Sequence, residues 1–372
     1  MVFFAVLEIM QVRYGRAEHV KKARLVYTVI ISVLLILALI LCTLFRHELK
    51  TLSTLLEKSE GVYTMVYDGD YGFDEFLKTG AESDKDIEKY VTKRLLKGLP
   101  IQINVTDAGC TAFVSRNEKG DVIFARNFDF TYAPMLQLYT KPDNGYASVS
   151  TVNLTFAGYD MDNVPSTGIG INNFLTLAAP FLPFDGMNEK GVAMALLAVP
   201  KAECNKNPDK VTLNTTTAIR LVLDKASTVD EAIDLLRQYN IYFSGGITCH
   251  FLIADQSGSS VIVEYYDGDL QTVRSVEEYQ IASNFIAYND VNIGEGYTEF
   301  ERYDRVEEVL KANSNSLSME ECRHLLNEIG VRDGGTDKLQ WSVVYNLSEK
   351  TGEIWPHRDD SRLWDFSSDR HG

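Results

Sequence analysis

The chain of 372 residues is 45% hydrophobic and 11% aromatic, which supports a sizeable core and argues against a disordered or low-complexity protein. Its net charge is −16, and residues 1–50 are net basic, so the remainder is more acidic still. Such a body lacks the clustered cations that counterion release requires, which argues against a nucleic-acid partner.

Residues 25–45, from Leu25 to Phe45, hold no charge and are long enough to cross the hydrocarbon core of a bilayer. Arg13, Arg16, Lys21, Lys22 and Arg24 precede the run. By the positive-inside rule residues 1–24 stay cytoplasmic and the body lies outside, a single-pass membrane protein. A cleaved secretory signal is the alternative. Against it, the run exceeds the usual ~7–15 residues and has no small-x-small site at its end. Residues 46–109 form a stalk or propeptide with helical spacing in 73–77 and 87–99, where Ile87, Val91, Leu95 and Leu96 share a face and Gly98 and Pro100 stop the run.

From Cys110 the pattern changes to short strands, expected at 110–116 and 121–126 around the turn Asn117-Glu118-Lys119-Gly120, then at 136–140, 147–156, 167–171 and 191–199. Helices are expected at 215–226 and 229–239, strands at 248–254, 259–265, 270–274 and 279–283, helices at 298–312 and 318–329, and final strands at 341–347 and 352–355. Residues 357–372 read as a frayed polar tail. Runs of strands separated by paired helices indicate an α+β domain over residues 110–356 with antiparallel sheets.

Five cysteines without a CxxC or Cys/His pair at metal spacing indicate neither a zinc module nor a disulfide scaffold, and no metal or organic cofactor is called for. Among Cys204, Cys249 and Cys322, one disulfide and three free thiols are both open readings. Cys110 stands out. It follows Gly109 and opens a strand whose hairpin partner ends in Arg126-Asn127-Phe128-Asp129. A thiol that attacks an amide needs a base, and the histidines offer little. His19 and His47 flank the apolar run, His357 and His371 lie in the tail, and His324 sits in an expected helix. His250 reads as a strand histidine near the core, and Cys249 beside it would point to the opposite face. The other base is the α-amino group of Cys110 itself, with an ordinary pKa of about 7.7–8.0, which exists only once the Gly109–Cys110 bond is cut. Gly109 permits the backbone geometry for that cut. The hairpin returns Arg126 to favour the thiolate and Asp129 to hold the ammonium; taken alone, the two read as an ordinary strand-end ion pair.

These residues resemble a family. Gly109-Cys110-Thr111-Ala112, Arg126-Asn127-Phe128-Asp129, Asp185-Gly186-Met187-Asn188-Glu189-Lys190-Gly191, Ser283-Asn284, Glu301-Arg302-Tyr303-Asp304-Arg305 and the strand at Trp341 are similar, in this order, to the Cys-type N-terminal-nucleophile hydrolases: choloylglycine hydrolases, penicillin V acylases, acid ceramidase, N-acylethanolamine acid amidase and isopenicillin N acyltransferases. The resemblance implies a four-layer αββα sandwich of two antiparallel sheets, preceded here by a transmembrane helix and a helical propeptide. It implies Cys110 as nucleophile and amine base, Arg126 and Asp129 as its positioning groups, Asn188 and Asn284 as oxyanion donors, and Arg302 as the completion of the polar network. The expected activity is hydrolysis of a linear, non-peptide N-acyl amide through a Cys110 thioester. Aromatic residues at 130–132 and 181–184 read as core or as an acyl pocket. An acyltransferase with the same intermediate and a non-catalytic surface binding protein are the rival readings, and a homo-oligomer is compatible with either.

Overall fold

The computed structural model describes residues 24–96, 109–290, 297–333 and 336–368, apart from residues 38 and 41. It divides into two units, residues 1–49 and 50–372. The first contains α1 (Arg24–Leu44), a helix long and apolar enough to cross a membrane; a signal sequence near an N-terminus meets the same test. Its described side chains are exposed. α2 (Arg46–Ser53) runs on into the second unit.

In chain order the second unit then holds β1 (Leu56–Ser59), β2 (Val62–Val66), α3 (Phe73–Thr79), α4 (Asp84–Arg94), β3 (Gly109–Arg116), β4 (Val122–Asp129), β5 (Met135–Thr140), β6 (Ser148–Asn153), β7 (Pro183–Asn188) and β8 (Ala193–Ala198). It continues with β9 (Thr212–Asn214), α5 (Thr215–Lys225), α6 (Val229–Leu236), β10 (Asn240–Tyr242), β11 (Cys249–Ala254), β12 (Ser260–Tyr266), β13 (Asp269–Val273) and β14 (Gln280–Ala282). Last come α7 (Tyr297–Ala312), α8 (Met319–Ile329), β15 (Arg332–Asp333), β16 (Thr336–Asp337), β17 (Leu339–Asn346), β18 (Thr351–Pro356) and β19 (Trp364–Ser367).

Two sheets dominate, ordered β1-β2-β5-β6-β7-β8-β11-β12-β13 and β14-β3-β4-β17-β18-β19. They face each other where β3 meets β8 and β11; α5 and α6 cover the outer face of the nine-stranded sheet, and α7 and α8 that of the six-stranded one. The layering is αββα. Period-two alternation explains it: on β3, Cys110, Ala112 and Val114 join the core between the sheets, whereas Phe113 joins Ile123, Val306, Leu326 and Trp355 under α7 and α8. Gly186 on β7 lets α5 close down, since a Cβ there would lie 2.7 Å from both a Leu223 methyl and the Val149 carbonyl oxygen. α5 is begun by a capping box between Asn214 and Thr217.

Several expectations need correction. Residues 46–109 are not simply a helical stalk. Helices α3 and α4 are there, with Ile87, Val91, Leu95 and Leu96 buried, but β1 and β2 precede them and extend the large sheet. The stop at Gly98 and Pro100 lies outside the described residues. β2 runs parallel to β5, so this sheet is not wholly antiparallel. The expected strand at 167–171 is absent; Gly170 instead leads into 3-10 turns over Ile171–Phe181. β7 was not expected, because Pro, Asp, Gly and Asn are poor strand formers and only pairing on both sides holds them there. The tail is not frayed up to Ser368, since β19 pairs with β18 and buries Phe366. Cys204, Cys249 and Cys322 are free thiols.

Candidate active site

The register of the β3–β4 hairpin builds the site. Gly109 pairs with Asp129, Cys110 with Phe128 and Ala112 with Arg126, which puts Cys110 and Arg126 on the face toward the other sheet and Asp129 on the opposite face. Arg126 and Asp129 therefore do not form the strand-end pair that sequence offered, and each has its own partner. The Arg126 guanidinium is fully buried. It bonds Asp185 on β7, donates from Nη2 to the Leu196 carbonyl (3.3 Å), and presents Nη2 to Cys110 Sγ at 3.3 Å. Its Cζ lies over the stacked Phe128 and Trp341 rings, 5.0 and 5.7 Å from their centroids. Asp185 is fixed in turn by the Tyr345 hydroxyl (2.6 Å) and Trp341 Nε1 (3.2 Å), so a buried carboxylate with three donors anchors the arginine.

On the other face Arg302 of α7 reaches the strand. Its Nη1 donates to the Cys110 carbonyl (3.2 Å) and Thr111 Oγ1 (3.0 Å) and lies 3.4 Å from Asp129 Oδ2; its Nη2 donates to Asn284 Oδ1 (2.8 Å). Asp129 Oδ1 accepts from the Val331 N–H at 2.8 Å. Burial pushes the Asp129 carboxyl up to about 6, against the pull of Arg302 and that N–H. Burial also raises the Cys110 thiol above its ordinary value, with Arg126 the main opposing influence. Burial thus favours the neutral thiol, with a cation against its sulfur.

Asn284 is the residue in direct contact with the Cys110 nitrogen, which donates to its Oδ1 at 2.8 Å. That oxygen also takes the Arg302 bond, while Nδ2 donates to the Ala198 carbonyl at 2.7 Å. The opposite amide orientation would set an NH2 against two donors. Asn284 therefore belongs to the site: its oxygen holds the nitrogen of Cys110, and one of its two amide hydrogens goes to Ala198. Asn188 is not brought there. Both its amide hydrogens go to the Leu223 and Ala226 carbonyls at the end of α5, and its oxygen accepts from the N–H groups of Lys190 and Val192. It is a turn and helix-end residue, and the expectation of an oxyanion donor fails because the amide is spent. Gly109 has no left-handed backbone; a Cβ would approach Asp129 Cβ to 3.3 Å, so its small size matters for packing rather than for φ.

Asp185 is not legible as a site residue in the sequence, because nothing local links that aspartate to an arginine 59 positions earlier. A cavity lies beside the network, lined by Phe130, Phe156, Phe184, Leu196, Ala198 and Cys249, with Thr215 and Ser244 on its polar wall. Leu196 and Ala198 are the residues whose carbonyls hold Arg126 and Asn284. Of the aromatic residues named from sequence, Phe130 and Phe184 line it, whereas Phe181 packs among Phe73, Phe76 and Tyr90 at 5.3–5.7 Å. Among the described residues no group of three metal-ligating side chains occurs.

Two facing sheets between helical layers, with a cysteine at the start of an interior strand, define an N-terminal-nucleophile hydrolase-like fold. A mutant of the conjugated bile acid hydrolase from Clostridium perfringens shares it, at a TM-score of 0.50 and 18% identity over 69% of this chain and 92% of that one. The penicillin V acylase structure from Agrobacterium tumefaciens is similar at a TM-score of 0.49 and 18% identity, covering 69% and 86%. A stretch of 111 residues is 33% identical to a penicillin V acylase of Pectobacterium atrosepticum, covering 27% of this chain and 29% of that protein's length. The sequence model of the linear amide C-N hydrolases, choloylglycine hydrolase family, matches residues 110–331, and the chain belongs to that family. The match begins at Cys110.

Proposed function

We propose that the protein is an amidohydrolase that matures by cutting itself at Gly109–Cys110 and then cleaves a linear N-acyl amide through a Cys110 thioester. The observation that carries this reading is that both chemical ends of Cys110 are already engaged. Its nitrogen is fixed by Asn284 and its sulfur faces Arg126. In maturation Sγ attacks the Gly109 carbonyl and the acyl group passes from nitrogen to sulfur. Water then hydrolyses the thioester, leaving a Gly109 carboxylate and a free Cys110 amine. That amine takes the thiol proton in each turnover, and Arg126 stabilises the developing thiolate. The sulfur attacks the substrate carbonyl, the departing amine receives the proton, and water releases the acid. Asp129 and Arg302 hold the strand end from the far face, and the phenylalanine-lined cavity receives an apolar acyl group.

Intact mass tests the first step. Wild-type protein should yield a fragment beginning at Cys110 and Cys110→Ala should not; a folded wild-type chain that stays uncut sinks the maturation reading. A panel of conjugated bile salts, penicillin V, N-acyl amino acids and N-acylethanolamines, assayed for released amine, tests the second. Added amines distinguish hydrolysis from acyl transfer by the partition of the acyl group. We read α1 as an uncleaved anchor that leaves the catalytic domain extracytoplasmic, and a soluble product starting after Phe45 would establish signal cleavage instead.

A further inference from the structure

His250 and Glu264 form a buried pair that does not touch the nucleophile. Phe251 pairs with Val263, which sets His250 and Glu264 side by side one step along the β11–β12 ladder. Nδ1 of His250 lies 2.8 Å from Glu264 Oε1, and both residues are at most 3% exposed. Nε2 makes no hydrogen bond among the described residues, so Nδ1 is the nitrogen that presents a proton to the carboxylate. The remaining capacity of Glu264 goes to backbone: the Ala287 N–H donates to Oε1 (3.0 Å) and the Tyr288 N–H to Oε2 (2.9 Å). Burial alone would raise this acid, but His250 and the two N–H groups outweigh it and keep the carboxyl below its usual range.

The place of those two N–H groups gives the pair its meaning. β14 ends at Ala282, in register with Ala112 of the nucleophile strand, and Ala287 and Tyr288 follow Asn284 by three and four residues. Asn284 thus stands on a short bridge, tied on one side to β3 and on the other to Glu264. We infer that the His250–Glu264 pair is a positioning device: by gripping the backbone at Ala287 and Tyr288 it fixes where Asn284 places its oxygen against the Cys110 nitrogen. The catalytic consequence rests on the proposal that this nitrogen becomes the amine base; the positioning itself does not. Glu264→Gln must orphan one grip. A Gln amide facing His250 offers no acceptor to the Ala287 N–H, and one facing the other way offers none to Tyr288.

Two arms test it. In Cys110→Ala the bond before residue 110 stays intact, so the amide of residue 110 reports its hydrogen bond to Asn284 without any catalysis. Adding Glu264→Gln should speed hydrogen–deuterium exchange by about tenfold or more at residue 110 and at Ala287 and Tyr288, while the β17–β18 ladder stays unchanged. Uniform acceleration would mean a loss of stability, and acceleration at Ala287 and Tyr288 alone would mean a grip that does not reach the nucleophile; either overturns the proposal. With Cys110 present, Glu264→Gln should lower kcat by about 100-fold with KM nearly unchanged. His250→Asn, which keeps a donor in the place of Nδ1, should retain most of the wild-type kcat, and His250→Leu should not. Equal activities for His250→Asn and His250→Leu also overturn it. A wild-type chain that neither cuts itself nor hydrolyses any amide defeats the catalytic reading, and the exchange arm still decides the positioning.

Discussion

Two of the buried arginine–aspartate pairs differ in their surroundings. Arg126–Asp185 joins the two sheets, and Arg220–Asp224 lies within α5. All four side chains are essentially without solvent exposure. Asp224 receives Arg220 and both of its oxygens lie 2.7 Å from the Tyr71 hydroxyl. The other donors of Arg220 are spent on Thr140, Ser148, Ser150 and the Pro180 carbonyl. Each of the three Arg220 nitrogens is engaged by a protein group. At the first pair Tyr345 and Trp341 share the carboxylate, and that leaves a guanidinium nitrogen for the Cys110 sulfur. The same two residue types make a staple in one place and the proposed reactive centre in the other; the hydroxyl-rich ring around Arg220 and the lone sulfur beside Arg126 distinguish them. The staple also ties Tyr71, which precedes the proposed cleavage point, to α5.

Substitutions can break or sharpen this contrast. The largest effect is expected from Asp224→Ala, which leaves Arg220 charged and unpaired in the core. Stability should fall by about 3–5 kcal/mol in denaturant titration, with activity per folded molecule retained. If activity per folded molecule fell as steeply, the second pair would be more than a staple. Arg126→Lys should show the reverse: amide hydrolysis falls by about 100- to 1,000-fold, because a point charge cannot serve Asp185 and the sulfur together, while the melting temperature moves much less.

A smaller effect is expected from pH. Burial lifts Asp129 and Asp224 from 3.8 to about 6. A raised carboxyl favours the fold below about pH 4, and that contribution is lost as pH rises through about 6. Uncut Cys110→Ala protein should therefore lose stability across that window. Asp129→Asn should remove its share of the slope, no more than about 3 kcal/mol. An unchanged slope would mean that Asp129 is not a buried acid in the uncut chain. The smallest effect belongs to Tyr71→Phe, which deletes one hydroxyl from Asp224 and should cost about 2 kcal/mol. In matured protein the two fragments should still co-elute on gel filtration, and this variant should let them separate at a lower urea concentration than wild type.

Much of this was legible in the chain itself. Period-two and period-3.6 patterns located most strands and the four α-helices among the described residues after Cys110, because those elements bury one face and local alternation records it. The stretch from Gly109 to Asp129 pointed to Cys110 as candidate nucleophile beside Arg126, since a hairpin brings both to one place by local pairing alone. What sequence could not decide depended on distant partners. β1, β2 and β19 are strands only because a sheet edge accepts them, and β7, with four poor strand formers among its six residues, is held by β6 and β8 on either side. Asn188 and Asn284 are the same residue type within motifs of equal promise. Only the packed chain showed that one amide is spent on the end of α5 while the other grips the Cys110 nitrogen. Asp185 likewise became the anchor of Arg126 because the two sheets lie face to face. Residue type and local periodicity settled which groups could do the chemistry; the stacking of two sheets, which no local pattern encodes, settled which of them meet.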